Sequence, residues 1–224
     1  ADCGIAFDGD GDRIGVVEEN GSYIAADEYM IIIWRDIYDK VRKKEGFFDV
    51  KCSKKLEDEL VKLGIKPICV RTGNSYTKKI SFENDYPFGG ELSGHVYFRD
   101  RFIGIDDGIY AGLRLIEILS RKKTRASKLL DDLTSYLSTP EEKIEVDEEK
   151  KDYIVSRVEE YCIAKKYTYS KIDGIKVLYD DGFALIRKSN TGPHLTTRYE
   201  SKTAENLKLR KEEFNKLIAK LKGE

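Results

Sequence analysis

The stretch FFDVKCSKKLEDELVKLGIKPICVRTGNSYTKKISF, residues 47–82, decides the fold class of this chain. It begins with a predicted strand at residues 47–51, and a second strand is predicted at residues 66–71. Between them, leucines recur at the i, i+4, i+7 spacing of an amphipathic helix. Gly64 follows this helix where a left-handed C-cap is expected, and a shorter helix is predicted to reach about Phe82. Strand, helix, strand and helix at this spacing are typical of an α/β domain.

Further elements are predicted on both sides of this stretch. On the N-terminal side these are strands at residues 1–7, 14–18 and 23–24 and a helix capped by Asp27. On the C-terminal side these are strands at 88–91 and 96–98, a helix capped by Asp106 or Asp107, and a short helix at 129–133. Residues 134–140 are polar and end in proline, which favours a linker. The rest is predicted to be a strand at 143–146, a helix, a hairpin at 175–187, a strand at 195–200 and a C-terminal helix.

The composition excludes several classes of protein. The chain has 224 residues, of which 40% are hydrophobic, so it can bury a sizeable core and is not a disordered chain. Its 40 basic and 41 acidic residues leave a net charge of −1, which argues against nucleic-acid binding, since such domains carry a basic excess. The longest apolar run, residues 29–34, is far shorter than the roughly 20 residues of a membrane-spanning helix. Four cysteines without C-x-x-C spacing fit reduced thiols and a cytoplasmic location.

Three aspartates separated only by glycines follow the first strand. The motif DGDGDR occupies residues 8–13, and its spacing lets Asp8, Asp10 and Asp12 turn their oxygens toward one point. Glycine permits the backbone angles and the close approach that such a loop needs. Hard oxygen ligands of this kind suit Mg²⁺ or Ca²⁺. A loop directly after a buried strand would place the site at the carboxyl edge of an α/β sheet.

Two other interpretations of the DGDGDR loop stay open. An EF-hand loop also begins D-x-D-x-D, and Glu19 falls at its twelfth position. However, Arg13 stands where that loop needs glycine, and a strand precedes it instead of a helix. The second alternative is a polar hairpin turn without a metal. It would leave three carboxylates close together without a compensating charge, so we favour a metal site.

The two histidines lie in loops that are crowded with polar groups. In the GELSGH loop, residues 90–95, Glu91, Ser93 and His95 alternate and can hydrogen-bond vicinal hydroxyls of a sugar. The RKSNTGP loop, residues 187–193, offers a guanidinium, hydroxyls, an amide and backbone N–H groups, which together form a phosphate receptor. A surface hairpin and an ordinary turn are the respective alternatives.

Taken together, these loops resemble those of the α-D-phosphohexomutases, and within them the phosphomannomutase/phosphoglucomutase group. The family's metal loop is similar to residues 8–13, and its sugar-specificity loop, usually G-E-M-S-G-H, is similar to residues 90–95. Its phosphate loop, R-x-S-N-T-x-P, is similar to residues 187–193. The run DGIYA at residues 107–111 also resembles the family helix that follows the sugar loop. The motifs occur in the family's order over essentially the whole chain.

The resemblance implies a Mg²⁺-dependent intramolecular phosphotransferase that interconverts hexose 1-phosphate and hexose 6-phosphate of mannose or glucose. A phosphoserine gives its phosphoryl group to the sugar monophosphate, and the 1,6-bisphosphate turns around and returns the other phosphate. The implied roles are Mg²⁺ binding by Asp8, Asp10 and Asp12, support of the phosphoserine by Arg13, sugar binding by Glu91, Ser93 and His95, contact near the sugar phosphate by Lys51, and binding of the non-reacting phosphate by Arg187, Ser189, Asn190 and Thr191.

Two departures from the family pattern bear on activity. The family segment T-G-H-S carries an imidazole, whereas this chain has Asn74, and an amide cannot transfer protons near neutral pH. The family's catalytic serine lies in an S-H-N-P-like loop, and no serine of this chain precedes a histidine. The chain starts at Ala1, and its single methionine is Met30. We therefore expect N-terminal domains of the same enzyme to precede it, and we expect the isolated chain to be inactive.

The predicted fold is an α/β domain with a mixed sheet, like domain 3 of the family, followed by a small α+β, TBP-like domain, like domain 4. The predicted boundaries are 1–20 for the last strands of a truncated preceding domain with the metal loop, 21–134 for the sugar-binding domain, 135–140 for the linker and 141–224 for the phosphate-binding domain. The functional alternatives are a phosphoglucosamine mutase, a metal-dependent phosphatase with Asp8 as nucleophile, and a non-catalytic sugar-phosphate-binding module.

Overall fold

A computed structural model describes residues 1–223 of the chain. The strands are β1 (Cys3–Phe7), β2 (Ile14–Glu18), β3 (Tyr23–Ile24), β4 (Glu45–Asp49), β5 (Lys66–Val70), β6 (Phe88–Gly90), β7 (Val96–Phe98), β8 (Leu137–Ser138), β9 (Glu142–Glu145), β10 (Tyr169–Ser170), β11 (Ile175–Tyr179), β12 (Gly182–Lys188) and β13 (His194–Ser201). The helices are α1 (Ala26–Ile37), α2 (Lys54–Lys62), α3 (Asn74–Asn84), α4 (Gly108–Lys122), α5 (Lys150–Lys165) and α6 (Ala204–Gly223). They form two compact units, unit 1 (Ala1–Thr134) and unit 2 (Ser135–Glu224). None of the helices in the described range is both long and apolar enough to cross a membrane.

Unit 1 holds two sheets. In the four-stranded sheet, ordered β5-β4-β6-β7, strand β4 pairs in parallel with β5 and β6, and β7 is antiparallel to β6. Helix α2 connects β4 to β5, and helix α3 connects β5 to β6. This mixed sheet with helical connections confirms the predicted α/β class.

The second sheet of unit 1 carries the DGDGDR loop. Strands β1, β2 and β3 pair in sequence order and antiparallel, with Phe7 opposite Ile14 where the loop begins and ends. The prediction that the loop follows a buried strand of an α/β sheet is wrong, because β1 is half-exposed and is the first strand of a β-hairpin.

Helix α1 forms the centre of the core of unit 1. Its residues Met30, Ile33 and Trp34 are almost completely buried. Strand β4 lies so close to this helix that a Cβ atom at Gly46 would be only 2.4 Å from Trp34 Cζ2. Position 46 therefore accepts only glycine unless the indole moves, and α1 holds β4 in the middle of the sheet.

Asp27 does not cap helix α1, so that prediction is wrong. The N-cap residue is Ala25, whose backbone N–H donates to the Glu28 side chain at 3.1 Å. Asp27 lies in the first turn and is buried, where its Oδ2 accepts the backbone N–H of Ser53 at 2.8 Å. The carboxylate thus connects α1 to the start of α2 instead of capping the N-terminus of α1.

Two predictions near the end of unit 1 also differ from the structure. The short helix expected at residues 129–133 is absent from the described part of the chain, which has only a 3-10 turn at Ala126–Lys128. Leu133 N–H donates to Leu130 O at 3.0 Å, which is a turn and not an α-helical bond, and the Leu129 carbonyl accepts from Arg35 Nη1 at 2.9 Å. Within residues 135–140, the expected linker, Leu137 and Ser138 form β8, which pairs with the end of β13.

Unit 2 is an antiparallel sheet covered by two helices. The strand order is β10-β11-β12-β13-β8, and β9 also pairs with β13. Apolar residues of α5 and α6, including Ile154, Val158, Phe214 and Ile218, are fully buried in the same cluster as residues of the sheet. The predicted hairpin at 175–187 is confirmed, with Tyr179 opposite Gly182 beside its turn. This arrangement confirms the predicted small α+β domain.

Candidate functional site

The DGDGDR loop is held by hydrogen bonds within itself. Gly11 has a φ angle of +76° and donates its N–H to the Asp8 carbonyl at 3.2 Å. Arg13 engages both carboxylate oxygens of Asp8: its backbone N–H donates to Oδ1 at 3.1 Å, and its Nε donates to Oδ2 at 2.5 Å. The side-chain hydrogen bond from Arg13 lowers the pKa of Asp8 to about 2. Asp8 is therefore ionised at neutral pH.

Two glycines allow other segments to approach the DGDGDR loop. Gly94 has a φ angle of +98°, and its carbonyl accepts the N–H of Ile14 at 3.2 Å. Gly108, the first residue of α4, donates its N–H to Gly11 O at 3.0 Å. A Cβ atom at Gly108 would lie 2.6 Å from the carbonyl oxygen of Arg13. The DGDGDR loop, the GELSGH loop and the start of α4 therefore lie in direct backbone contact.

The three loop aspartates have the donor atoms that a divalent cation needs. Asp8, Asp10 and Asp12 each offer an oxygen, and these oxygens lie within 4.8 Å of one another. Within residues 1–223, Oδ1 of Asp12 is buried and has no hydrogen-bond partner. Burial raises the pKa of Asp12, as do the charges of nearby aspartates, although His95 opposes the shift. An unpartnered buried oxygen beside two more carboxylates fits a hard cation such as Mg²⁺.

His95 is oriented by a carboxylate on the next segment. Its Nδ1 lies 3.0 Å from Oδ2 of Asp106 and 3.6 Å from Oδ1 of Asp12. Asn74 Nδ2 donates to the same Asp106 oxygen at 2.8 Å, and its own Oδ1 accepts from Tyr97 O–H at 3.1 Å. Because a carboxylate oxygen can only accept, Nδ1 of His95 is assigned as the proton donor. With the proton of this tautomer on Nδ1, Nε2 is the ring nitrogen that can accept a hydrogen bond.

Glu91 is buried at the base of the GELSGH loop. Its Oε1 accepts from Thr77 Oγ1 at 2.5 Å, and Thr77 Oγ1 also lies 3.1 Å from Tyr97 O–H. Burial raises the pKa of Glu91, and the hydrogen bond from Thr77 partly offsets this shift. Ser93 lies at the exposed tip of the same loop. The loop thus combines one buried carboxylate, which is hydrogen-bonded by Thr77, with one hydroxyl that faces solvent.

Asp49 connects three segments at the carboxyl end of β4. It is fully buried, and its Oδ1 accepts the backbone N–H of Leu92 at 3.2 Å. Its Oδ2 accepts from Thr72 Oγ1 at 3.1 Å and lies 3.6 Å from Lys51 Nζ, which is also buried. Asp49 therefore holds the GELSGH loop, the β5–α3 loop and the Lys51 ammonium at the same edge of the sheet.

The RKSNTGP loop lies in unit 2 between β12 and β13. Arg187 is buried, and its Nε donates to Asp173 Oδ2 at 2.9 Å. The backbone N–H of Thr191 donates to Ser189 Oγ at 3.1 Å, which closes a tight turn. Asn190 and Thr191 are exposed. The side-chain amide of Asn190 and the hydroxyl of Thr191 therefore face solvent, while Asp173 fixes the Arg187 guanidinium.

Comparison with known proteins follows the division into two units. The family model described as "Phosphoglucomutase/phosphomannomutase, alpha/beta/alpha domain III" matches residues 25–136. The model described as "Phosphoglucomutase/phosphomannomutase, C-terminal domain" matches residues 141–217. The chain belongs to the phosphoglucomutase/phosphomannomutase family.

Individual relatives agree with this assignment. The chain is 38% identical over 207 residues to phosphomannomutase/phosphoglucomutase of Pseudomonas aeruginosa, which covers 92% of the chain and 45% of that protein. It is also 38% identical over 207 residues to phosphoglucomutase of Neisseria gonorrhoeae, covering 91% of the chain and 44% of the relative. A crystal structure of a phosphoglucomutase/phosphomannomutase family protein from Burkholderia thailandensis superposes with a TM-score of 0.90 at 34% identity, covering 99% of the chain and 47% of that structure. The chain spans about half the length of the curated relatives it matches, and it corresponds to their C-terminal part.

Within the phosphoglucomutase/phosphomannomutase family match, the DGDGDR loop precedes the domain III segment, and the GELSGH loop lies inside it. The predicted site residues that unit 1 brings to this region are Asp8, Asp10, Asp12, Arg13, Glu91, Ser93 and His95. Lys51 lies beside Asp49 at the edge of the sheet. The predicted residues of the RKSNTGP loop, Arg187, Ser189, Asn190 and Thr191, belong to unit 2.

Sequence reasoning missed several residues that hold these groups in place. They are Asp49, Thr77, Tyr97 and Asp106, together with the bridging position of Asn74. Asp49 could have been found from its position at the end of a strand that is parallel to both neighbours, where ligand-binding groups gather. Thr77 and Tyr97 left no such signal, because a threonine in a helix and a tyrosine in a strand are ordinary residues there.

Proposed function

We propose that this chain is the C-terminal half of a Mg²⁺-dependent phosphohexomutase. The whole protein would interconvert hexose 1-phosphate and hexose 6-phosphate of glucose or mannose through a phosphoserine and a 1,6-bisphosphate. The observation that carries the proposal is the direct contact between the DGDGDR loop, with its unpartnered Asp12 oxygen, and the GELSGH loop, with Glu91 and His95. These two loops supply a cation site and sugar-binding groups side by side.

The DGDGDR loop would hold the metal and organise the phosphoryl side of the site. Asp8, Asp10 and Asp12 would be the Mg²⁺ ligands, and the bound ion would neutralise charge on the transferred phosphoryl group. Arg13 fixes Asp8 through two hydrogen bonds, so that the carboxylate does not have to be ordered when the cation binds. Arg13 would also support the phosphoserine.

The GELSGH loop would bind the sugar. Glu91, held by Thr77, would accept hydrogen bonds from a pair of hydroxyls, and the exposed hydroxyl of Ser93 could donate or accept. His95, with Nδ1 directed at Asp106, would offer Nε2 to a sugar hydroxyl. Lys51 would lie near the sugar phosphate. In unit 2, Arg187, Ser189, Asn190 and Thr191 would bind the phosphate that does not react.

The phosphoserine itself is assigned to a part of the protein outside these 224 residues. Support for this comes from the relatives, of which the chain covers only about half, and from the absence of a Ser-His pair in the sequence. We expect the chain alone to bind hexose phosphates weakly and to catalyse no conversion. We also expect a preference for glucose and mannose phosphates over glucosamine phosphate, because of the GELSGH loop.

The test is to assay conversion of glucose 1-phosphate to glucose 6-phosphate, with glucose 1,6-bisphosphate present, using the whole protein and using residues 1–224 alone. The whole protein should turn over, and its Asp12→Asn variant should lose most of that activity. Mannose and glucosamine phosphates, assayed in parallel, give the sugar preference. Robust turnover by residues 1–224 alone would rule out the proposal.

The same assays separate the other candidate functions. An aspartyl phosphatase would use an Asp8 oxygen as nucleophile. Each Asp8 oxygen accepts one hydrogen bond from Arg13 and keeps a lone pair, so activity assays decide between the two roles. Phosphate release from a generic phosphomonoester that is lost in Asp8→Asn would support the phosphatase. Hexose phosphate binding by a whole protein without mutase activity would support a binding module.

A further inference from the structure

Behind the RKSNTGP loop lies a buried lysine that the proposed mechanism does not use. Lys151 is the second residue of α5, and only 6% of it is exposed. Its ammonium donates to the backbone carbonyls of Ser189 at 3.0 Å and of Gly192 at 3.1 Å. It also lies 2.6 Å from Oε1 of Glu148, which is largely exposed. An ammonium has three donors, so Lys151 is fully used by these three partners.

The two carbonyls that Lys151 binds belong to the turn of the RKSNTGP loop. The rest of the turn is closed by the bond from Thr191 N–H to Ser189 Oγ at 3.1 Å and by the bond from His194 N–H to Gly192 O at 2.8 Å. Within residues 1–223, the backbone N–H groups of Asn190 and Gly192 make no hydrogen bond. The loop thus has its carbonyls bound by a cation and two N–H groups available.

Bound carbonyls and available N–H groups together favour the binding of an anion by the loop. An exposed carbonyl oxygen repels a phosphate, whereas available backbone N–H groups of a turn attract one. Lys151, Ser189, Asn190 and Gly192 also line a cavity of about 450 Å³. Its two carboxylates, Glu148 and Asp152, are paired with Lys151 and Lys188. A buried ammonium is costly unless its charge is compensated. Here the compensation comes from the two loop carbonyls and from the Glu148 carboxylate at 2.6 Å.

We propose that Lys151 is a positioning residue that holds the RKSNTGP loop in the conformation that binds a phosphate monoester. By binding Ser189 O and Gly192 O, it keeps these carbonyls away from the ligand and leaves the N–H groups of Asn190 and Gly192 available to it. This inference rests on the proposed function of the loop. It adds a residue that lies outside the loop and is separated from Ser189 by 38 positions.

The test uses the 224-residue chain and three variants. Lys151→Met removes the charge and the donors but keeps the length of the side chain, and Lys151→Arg keeps both charge and donors. Lys176→Met is the matched control, because Lys176 is equally buried in the same unit and its ammonium lies over the Phe183 ring. Dissociation constants for glucose 6-phosphate and for inorganic phosphate are measured by NMR titration, and hydrogen exchange of residues 189–194 is followed by mass spectrometry.

Lys151→Met should weaken glucose 6-phosphate binding about tenfold or more, the factor expected when charge-assisted hydrogen bonds that order the loop are lost. It should also speed exchange in residues 189–194. Lys151→Arg should restore most of the affinity, and Lys176→Met should bind like the unchanged chain. Loss of affinity in Lys176→Met equal to that in Lys151→Met would overturn the inference, because a general structural effect would then explain both.

Two outcomes separate this inference from the proposed function. If Lys151→Met is folded and binds like the unchanged chain, Lys151 is not a positioning residue, while the loop remains the phosphate site. If the unchanged chain binds neither glucose 6-phosphate nor phosphate, the phosphate-binding role of the loop is wrong, and with it the role of Lys151. If Lys151→Met does not fold, the comparison is made with Lys151→Gln, which keeps a donor without the charge and should bind more weakly than Lys151→Arg. Equal affinity of these two variants would contradict the inference.

Discussion

Thr77 Oγ1 lies 2.5 Å from Oε1 of Glu91, and both side chains are buried. Helix α3 thereby supplies a hydrogen bond that favours the charged form of the Glu91 carboxylate at the base of the GELSGH loop. Burial raises the pKa of Glu91, and the Thr77 hydroxyl acts in the opposite direction because it binds the charged form. The charge that would receive sugar hydroxyls thus depends on a residue of another element.

Replacing Thr77 by valine should therefore weaken sugar binding through its effect on Glu91, although Thr77 itself is not proposed to contact the sugar. Thr77→Val keeps the shape of the side chain but leaves the buried Glu91 carboxylate without its donor, which should raise its pKa further and cost about 1–3 kcal/mol of stability. Urea denaturation and NMR titration with glucose 6-phosphate measure the two effects. Thr124→Val, at a half-buried position of the same unit, is the control. Equal stability and affinity in both variants would contradict this role of Thr77.

Replacing Asp12 should affect metal binding much more than it affects the stability of the fold. We expect the chain to bind Mn²⁺ or Mg²⁺ weakly, at about 10⁻⁴–10⁻³ M, because our proposal assigns the phosphoserine that would add negative charge to a part of the protein outside it. Asp12→Asn should abolish this binding. Since burial raises the pKa of Asp12, its charged form is disfavoured in the folded state, and the melting temperature without metal should not fall.

Mn²⁺ binding measured by electron paramagnetic resonance checks the prediction, with the exposed Asp39→Asn as the control. Unchanged affinity in Asp12→Asn would show that the DGDGDR loop is not the cation site. Tight, fully occupied Mg²⁺ in the isolated chain would contradict the expected weak affinity.

Asp49 should be one of the most sensitive positions of unit 1. Asp49→Asn would leave Lys51 buried without its carboxylate, now 3.6 Å away, and breaking such a pair costs about 3 kcal/mol or more. The double variant Asp49→Asn/Lys51→Met should recover much of this loss, because both charges of the buried pair are then removed together. Fluorescence of Trp34, the single tryptophan of the chain and buried in unit 1, follows unfolding of that unit.

The control for Asp49 is Asp58→Asn, which breaks an exposed ion pair with Lys54. It should cost less than about 1 kcal/mol, as exposed pairs generally do. If Asp49→Asn and Asp58→Asn were equally stable, the buried pair would not organise this edge of the sheet.

Asp181 should make unit 2 sensitive to acid. Burial raises its pKa, but hydrogen bonds from Asn206, Arg210 and Ser201 outweigh this and lower the pKa to about 2. A carboxylate with a lowered folded-state pKa stabilises the fold above the unfolded-state pKa, near 4. That stability is lost as the pH falls from about 4 to about 2, and at neutral pH it amounts to about 2 kcal/mol.

Asp181→Asn should therefore lower the stability of unit 2 at pH 7 and have a much smaller effect near pH 2. Hydrogen exchange of amides in β12 and β13 measures this unit separately. Asp180→Asn, the exposed neighbour, should change stability little at either pH. A cost of Asp181→Asn that does not depend on pH would contradict the assignment.

Local sequence patterns predicted the elements well where the pattern and the burial agree. The leucines at positions 56, 60 and 63 lie on or at the end of α2, and the left-handed conformation of Gly64 follows as expected. The hairpin of β11 and β12 was also predicted with nearly correct ends. The predictions for Asp27 and for residues 129–133 were wrong, and in both places a distant residue, Ser53 or Arg35, binds the segment.

By itself, the sequence determined which chemical groups the candidate site contains and their order along the chain. Three carboxylates between glycines, a Glu-Ser-His loop and an Arg-Ser-Asn-Thr loop are readable because side-chain chemistry and short spacings are local properties. Only the tertiary structure decided that Asp12 has an unpartnered buried oxygen, that Thr77 holds Glu91, and that Lys151 binds the carbonyls of the RKSNTGP loop. These relationships join residues that are far apart along the chain or depend on burial, and burial is set by how helices and strands pack, which no short stretch of residues encodes.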